Sequence, residues 1–406
     1  MPCLDVSGPW PVGIHIVRIL VVTTSYPLSP DSVSGVFVRR LAISLSRKHD
    51  VRVITLAGSG MIVTDDPFPV IAACYAPRKW QRLTHLPGGI PVQLRQQPLL
   101  WALVPFAAAA LAFAILRYVA RADVIHANWA GTGVVAGVVG WLTRTPVVTT
   151  LRGADVSGAV RSRGSRWQLY AGVRLSRRVA TVSAAMRDDV LTRWPQIARK
   201  VRSVPNGVEI TEVHRRTPDV SNAKLLVVGS LIQRKRVDVA IDALAELTPG
   251  IKLTVVGAGP ERDALICRVS TRGLGGRVEF LGEVPPRSMA ALYCRHDVLV
   301  HCADSEGVPN VMLEAIASAM PVVAADIPGV RQMAMCTAAG MVFPPGDAAA
   351  CAEALTNILG SGSGARRWRE MSIAARRWTD SHRRTWEDCA DDYTALYREA
   401  LDSTSG

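Results

Sequence analysis

Several features that would place a chain quickly are missing from these 406 residues. None of the 8 cysteines forms a Cys-x-x-Cys pair or stands at zinc-site spacing from a histidine, so reduced thiols are expected. No Asp-x-Asp pair marks a metal site, and Asp65-Asp66 and Asp188-Asp189 are adjacent pairs without further ligand signal. No metal and no cofactor is therefore expected. Met1 to His15 is rich in Pro and Gly and lacks a charged start and apolar middle, so residues 1–14 read as an extension and the expected location is cytoplasmic. Carboxylates are the scarcer charge, with 34 Asp and Glu against 47 Lys and Arg, a net charge of +13. Such an excess attracts anionic surfaces, but no recognised nucleic-acid module accompanies it, so nucleic acid is not an expected partner.

What is present suits two domains. A chain this long exceeds what one hydrophobic core normally supports, and 49% hydrophobic residues suffice for two. Strand-like runs at 19–23, 51–55, 124–126 and 147–150 alternate with helical segments in the first half. Runs at 225–228, 252–256, 278–281, 298–300 and 321–324 do so in the second. This alternation predicts an α/β protein with two doubly wound, Rossmann-like parallel sheets. The polar stretch after Pro205-Asn206-Gly207 predicts a linker. The expected division is 15–208, linker 209–222, 223–375, and an amphipathic carboxyl-terminal helix over 376–402.

The richest stretch runs Ser305-Glu306-Gly307-Val308-Pro309-Asn310-Val311-Met312-Leu313-Glu314. It follows a predicted buried strand and turns into a helix over 311–319 in which Glu314 is the only charge. Gly307 permits unusual backbone or close ligand approach, and Pro309 suits a helix start. Sheets of this kind bind ligands beyond the carboxyl ends of their strands, where helix amino termini favour phosphate. Two carboxylates there are suited to accept hydrogen bonds from sugar hydroxyls. The plain alternative is a helix cap at Glu306 and a solvated edge residue at Glu314.

With this motif the sequence resembles the retaining GT-B glycosyltransferases of family 4, whose signature places two glutamates in an S-x-x-E-G-x-P-N-x-x-x-E-A setting. Further landmarks follow in the family's order: Gly35-Val36-Phe37-Val38-Arg39, His126-Ala127-Asn128, Arg152-Gly153-Ala154-Asp155, Val204-Pro205-Asn206-Gly207, Gly229 with Arg234-Lys235, and Gly257-Ala258-Gly259. The resemblance implies two Rossmann-like domains facing a cleft, a terminal helix crossing back to the first, and retention of anomeric configuration without a metal. It also implies that Glu306 orients the donor sugar, Glu314 holds the ribose, and Arg234 and Lys235 hold the diphosphate. Gly35, Gly229, Gly257, Gly259, Gly307, Asn310 and Val311 would complete the donor site.

Gly257-Ala258-Gly259 lacks the third glycine of a dinucleotide fingerprint, so a nicotinamide reading fails. Relatives carry a second histidine where this chain has Asn128, and a histidine where it has Arg152. His126 is then either catalytic or a packed strand residue, Asn128 a hydrogen-bond donor to sugar or acceptor, and Arg152 and Asp155 candidate acceptor contacts.

The motifs look most like bacterial enzymes of exopolysaccharide and teichuronic acid assembly, which implies a nucleoside diphosphate sugar donor and a polyprenyl diphosphate-linked glycan acceptor. Residues 99–116 contain no charge and approach the length of a membrane span; Pro105 and abundant Ala favour a packed or membrane-touching helix instead. Basic clusters near Arg163 and Arg366 suit an anionic membrane surface, as at the inner face of a plasma membrane, or are simply solvated. Two other readings stay open: a sugar-nucleotide epimerase of the same architecture, and a non-catalytic sugar-nucleotide-binding component of an assembly complex.

Overall fold

The computed structural model describes residues 16–60, 63–209, 218–219, 221–307, 309–360, 362–382 and 384–402. The expected extension at 1–14 and most of the expected linker lie outside them.

Seven parallel strands form the first sheet: β1 Arg18–Thr23, β2 Asp50–Leu56, β3 Val70–Ala73, β4 Val124–Asn128, β5 Val147–Leu151, β6 Arg178–Thr181 and β7 Val201–Ser203, in the order β3-β2-β1-β4-β5-β6-β7. Six more form the second: β8 Lys224–Val228, β9 Lys252–Val256, β10 Val278–Gly282, β11 Val298–His301, β12 Val322–Ala325 and β13 Gly340–Phe343, in the order β10-β9-β8-β11-β12-β13. Both are doubly wound parallel sheets, the GT-B architecture.

Their central strands read as near-continuous apolar runs because helices cover both faces. All five residues of β4 and of β5 are buried. Alternation divides the first sheet's core in two. Val21, Val53 and Val124 face the helix Val36–Ser46, while Leu20, Ile54 and Ile125 face the helix Val104–Val119.

In each sheet the strand order reverses once, between β1 and β4 and between β8 and β11. The loops leaving such a pair of strands diverge to opposite faces and leave a crevice. The second crevice is flanked by the loops that carry Arg234-Lys235 and Glu306.

The last helix, Trp386–Asp402, opens on a capping box: the backbone N–H of Thr385 donates to Asp388 at 2.7 Å, and that of Asp388 donates to the Thr385 hydroxyl at 3.2 Å. It buries Trp386, Tyr393 and Tyr397 against the first lobe. Trp386 lies beside Gly207, whose Cβ, if present, would stand 2.4 Å from the carbonyl of Thr385, so only glycine fits.

The stretch expected to touch or cross a membrane is a 3₁₀ turn over Pro98–Leu103 followed by the helix Val104–Val119. One side of it packs into the sheet through Ala107, Leu111, Ala114 and Ile115.

Candidate active site

Glu306 stands five residues beyond the end of β11, and two cations from the loop after β8 close on it. The guanidinium of Arg234 donates to Glu306 Oε1 at 2.9 Å and also to the carbonyl of Ser305. The ammonium of Lys235 makes a short ion pair with the same oxygen. Burial alone would raise this carboxyl, but Lys235 and Arg234 outweigh it and hold it at about 2, so Glu306 is an anion at any working pH.

Three glycines shape the loop bearing those cations. Gly229 has φ 154° and lies 3.5 Å from the Lys235 chain at the nearest approach of a Cβ. A Cβ on Gly257 would stand 2.0 Å from the Gly229 carbonyl, and one on Gly259 would stand 2.2 Å from that of Leu231. The Gly-x-Gly turn therefore braces the cation-bearing loop backbone to backbone.

The motif continues into the helix Asn310–Ala317, which follows Pro309 and ends where Ala319 turns to φ 54°. Its start is one residue earlier and its end two residues earlier than the sequence pattern predicts. Glu314 is one turn along. Its Oε1 accepts from Arg40 at 2.8 Å and its Oε2 from the Tyr293 hydroxyl at 2.8 Å. Arg40 belongs to the first lobe, so this ion pair spans the cleft. A second bridge runs from the amide of Asn206 to Asn310 Oδ1 at 2.8 Å. A third contact is backbone against backbone, since a Cβ on Gly153 would lie 3.0 Å from the N of Gly307.

The first lobe contributes Arg152, at the carboxyl end of β5. It donates to Asn128 Oδ1 at 2.7 and 3.2 Å, donates to Asn206 Oδ1 at 2.8 Å, and lies over the Phe37 ring at 4.8 Å. These hydrogen-bond acceptors are neutral, and the ring supplies only its quadrupole. Arg152, Lys235, Glu306, Asn206, Asn310 and Val311 line a common cavity of about 220 Å³. With Arg234 bound to the same Glu306 oxygen as Lys235, three cations gather around one carboxylate, a surplus suited to a dianion. A larger concavity, about 550 Å³ beside Cys336, Ile373 and Trp378, is open to solvent on the outside of the second lobe and lacks such convergence.

Three expected site residues already have hydrogen-bond partners within the first lobe and its terminal helix. His126 is fully buried, with Nε2 2.8 Å from the Thr150 hydroxyl and Nδ1 2.7 Å from that of Tyr397. Burial, with Arg152 nearby, lowers it to about 3, so it is neutral and locked, and its place is that of a packed strand residue. Asn128 is also fully buried and reaches the cavity only through Arg152; its Nδ2 has no partner among the described residues. Both oxygens of Asp155 accept from backbone, from the N–H of Ala130 at 3.0 Å and of Arg152 at 2.9 Å, so it braces the turn. Gly35 has φ 72°, and its Cβ would stand 2.3 Å from the Ser25 carbonyl; its glycine requirement comes from that contact.

Comparison with known proteins agrees with the geometry. Residues 34–212 match the model of glycosyltransferase family 4, and residues 211–376 match that of glycosyl transferases group 1. The chain belongs to these glycosyltransferases. Across 377 aligned residues the glycosyltransferase is 27% identical to glycogen synthase of Mycobacterium tuberculosis, covering 86% of this chain and 88% of that protein. It is 26% identical to a putative teichuronic acid biosynthesis glycosyltransferase of Bacillus subtilis, covering 84% and 88%. Its fold matches sucrose-phosphate synthase of Thermosynechococcus elongatus with TM-score 0.74 at 21% identity, over 95% of this chain and all of that one. It matches Anabaena HepE in complex with UDP-glucose with TM-score 0.69 at 19% identity, over 96% and 99%.

Four residues around the glycosyltransferase cavity escape a reading by motif alone. Arg40 and Tyr293 bind Glu314, while Phe37 and Asn206 hold Arg152. Phe37 and Asn206 sit inside recognised landmarks, which was the available signal; nothing local marks Arg40 or Tyr293. Among the described residues no group of three His, Cys, Asp or Glu side chains is placed to hold a metal.

Proposed function

We propose that this glycosyltransferase transfers a sugar, with retention of anomeric configuration, from a nucleoside diphosphate sugar to a polyprenyl diphosphate-linked glycan in bacterial cell-surface polysaccharide assembly, at the inner face of the plasma membrane. The observation that carries the reading is the convergence of Arg234 and Lys235 on Glu306 at the second sheet's crevice. The diphosphate takes over the two cations, and Glu306, freed from them, accepts hydrogen bonds from the donor sugar's hydroxyls. The bond from anomeric carbon to phosphate oxygen breaks as the acceptor hydroxyl attacks from the same face, and its proton passes to the departing phosphate. Arg234 and Lys235 stabilise the charge that develops there, work that needs no divalent cation.

Glu314 holds the ribose once Arg40 has yielded, and the backbone at Asn310 and Val311 offers helix-start N–H groups to phosphate. Arg152 meets the acceptor's phosphate from the opposite lobe. The UDP-glucose complex of the HepE fold neighbour and the teichuronic acid relative support the donor class and the cell-surface role.

The cavity is smaller than the ~300–1,000 Å³ that encloses a drug-sized ligand, so the lobes must part at Arg40–Glu314 and Asn206–Asn310 to admit a whole donor. The test is transfer of labelled sugar from a panel of nucleoside diphosphate sugars to bacterial lipid extract. Labelled lipid with wild type and none with Glu306→Gln is expected; labelled lipid from both would overturn the role of Glu306, and an epimer formed without acceptor would overturn the transferase reading.

A further inference from the structure

We propose that the outer face of three neighbouring helices of the first lobe, Pro98–Val119, Ala130–Thr143 and Arg163–Leu175, is a docking surface for an anionic lipid bilayer. The lipid-linked acceptor proposed above gives this surface its purpose; the surface itself rests on the observations that follow.

A helix that covers a sheet ordinarily carries charge on its outward side. Here Val104–Val119 is apolar on both until its last turn, which carries Arg117. Its inner side buries Ala107, Leu111, Ala114 and Ile115 in the core, while Phe106, Ala109, Phe113 and Leu116 recur at spacings of three and four on the outside. Phe113 is 69% exposed, and in the preceding turn Leu99 is 91% and Trp101 61% exposed. Only 28% of the most apolar window of Pro98–Val119 is buried. The adjoining helix continues the surface with Trp141, 76% exposed, and Leu142, and the third adds Trp167 and Tyr170. The latter two helices pack closely: a Cβ on Gly137 would stand 2.5 Å from Leu175 and one on Gly131 2.8 Å from Gln168. The first two helices adjoin as well, so the exposed apolar side chains lie on three neighbouring helices of one face, the kind of surface that marks an interaction site.

Charge selects the occupant. From Pro67 to Arg187 the chain has two carboxylates, Asp123 and Asp155. The first is paired with Arg18 and the second with backbone N–H groups. The surface is therefore aromatic and cationic with almost no acid. Crossover helices run antiparallel to their strands, so Arg117, Arg121, Arg144 and Arg174, all exposed, cluster at the amino edge of the sheet, while Trp101 lies at the carboxyl edge beside the cleft. Tryptophan with an arginine rim and no carboxylate matches the interface of an anionic bilayer. A second copy of the same face would set arginine against arginine. A helix crossing the bilayer would have to leave the sheet and abandon the core contacts of its inner side. In the docked pose the cleft mouth beside Trp101 opens at headgroup level, where a lipid-borne acceptor arrives.

The test is flotation of the full chain with phosphatidylcholine vesicles with and without phosphatidylglycerol. Wild type is expected to float with the anionic vesicles, and less so at high salt. The variant Trp101→Ser/Phe106→Ser/Phe113→Ser is expected to lose at least about tenfold in vesicle affinity, because binding scales with the apolar area buried in the interface. Arg117→Ser/Arg121→Ser/Arg144→Ser is expected to lose about as much on anionic vesicles only. Unchanged unfolding temperature and an unchanged thermal shift with a nucleoside diphosphate establish that each variant is folded with its donor site intact. Wild type that fails to float, or an aromatic variant that floats equally well, overturns the surface while leaving the donor-site reading standing. So does a wild-type dimer by light scattering that the aromatic variant converts to monomer, since the patch would then be a protein interface.

Discussion

The two lobes share one order of six strands, to which the first adds β7, but they prepare their charges in opposite ways. In the second lobe each functional cation has a carboxylate at hand: Arg234 and Lys235 are tied to Glu306. In the first, the Arg152 guanidinium is positioned as firmly, by two amides and a ring, while the nearby carboxylate, Asp155, is tied to backbone N–H groups rather than to that guanidinium. A paired cation must exchange partners when a phosphate arrives, whereas a guanidinium whose own hydrogen bonds go to neutral groups need not break an ion pair to take up an anion. The second lobe is therefore built to let go of Glu306 at the right moment, and the first to wait for a charge that the substrate brings.

Glu306→Gln tests the first half of that contrast and should show the largest effect. Turnover is expected to fall by about 10²–10³-fold, the scale of removing one oriented transition-state contact, while nucleoside diphosphate affinity holds or tightens because Arg234 and Lys235 are released. A weaker affinity in calorimetry would mean that Glu306 does not compete with the diphosphate. Arg152→Met is next: the KM for the acceptor is expected to rise about 10–100-fold with donor affinity little changed, the worth of a charged hydrogen bond. Asn128→Asp sharpens the point by placing a counter-charge directly on the Arg152 guanidinium, and a loss of about tenfold in acceptor affinity with the fold intact is expected. If both variants bind acceptor normally, Arg152 is structural.

Acid stability separates the lobes in another way. The folded-state pKa of Glu306, about 2, lies below its ordinary 4.5, so its contribution is complete above that ordinary value and is lost as pH falls towards 2. Unfolding temperature measured across this window should fall less steeply in Glu306→Gln than in wild type; parallel curves would show that the ion pairs do not depress the carboxyl. The smallest effect belongs to Arg40→Ala. Removing the bridge to Glu314 is expected to improve nucleoside diphosphate affinity by no more than about fivefold, and a loss would make Arg40 a ligand rather than a latch.

The same contrast governs what could be read from sequence. The second-lobe site lies in contiguous motifs, because a loop and the helix after it carry Glu306, Asn310 and Glu314 together and the loop after β8 carries both cations. The first-lobe site is assembled from β4, β5, the helix Val36–Ser46 and the turn at Asn206, so no single segment contains it. Residue identities at 126 and 128 resembled a catalytic pair, but both side chains are enclosed by the terminal helix and Arg152, a tertiary fact that neither position encodes. Among the strands, continuous apolar runs such as Leu225 to Val228 were legible. The short strands β3, β6, β7 and β13, three or four residues each and at or next to a sheet edge, were not. Their pairing is settled by neighbours rather than by their own pattern.

The most direct measurement is calorimetric titration of uridine, guanosine and adenosine diphosphates into wild type and the Arg234→Ala/Lys235→Ala variant. At least one nucleotide is expected to bind wild type and to lose essentially all measurable affinity in the variant. Equal binding to both proteins would contradict the claim that these cations, drawn off Glu306, form the donor site.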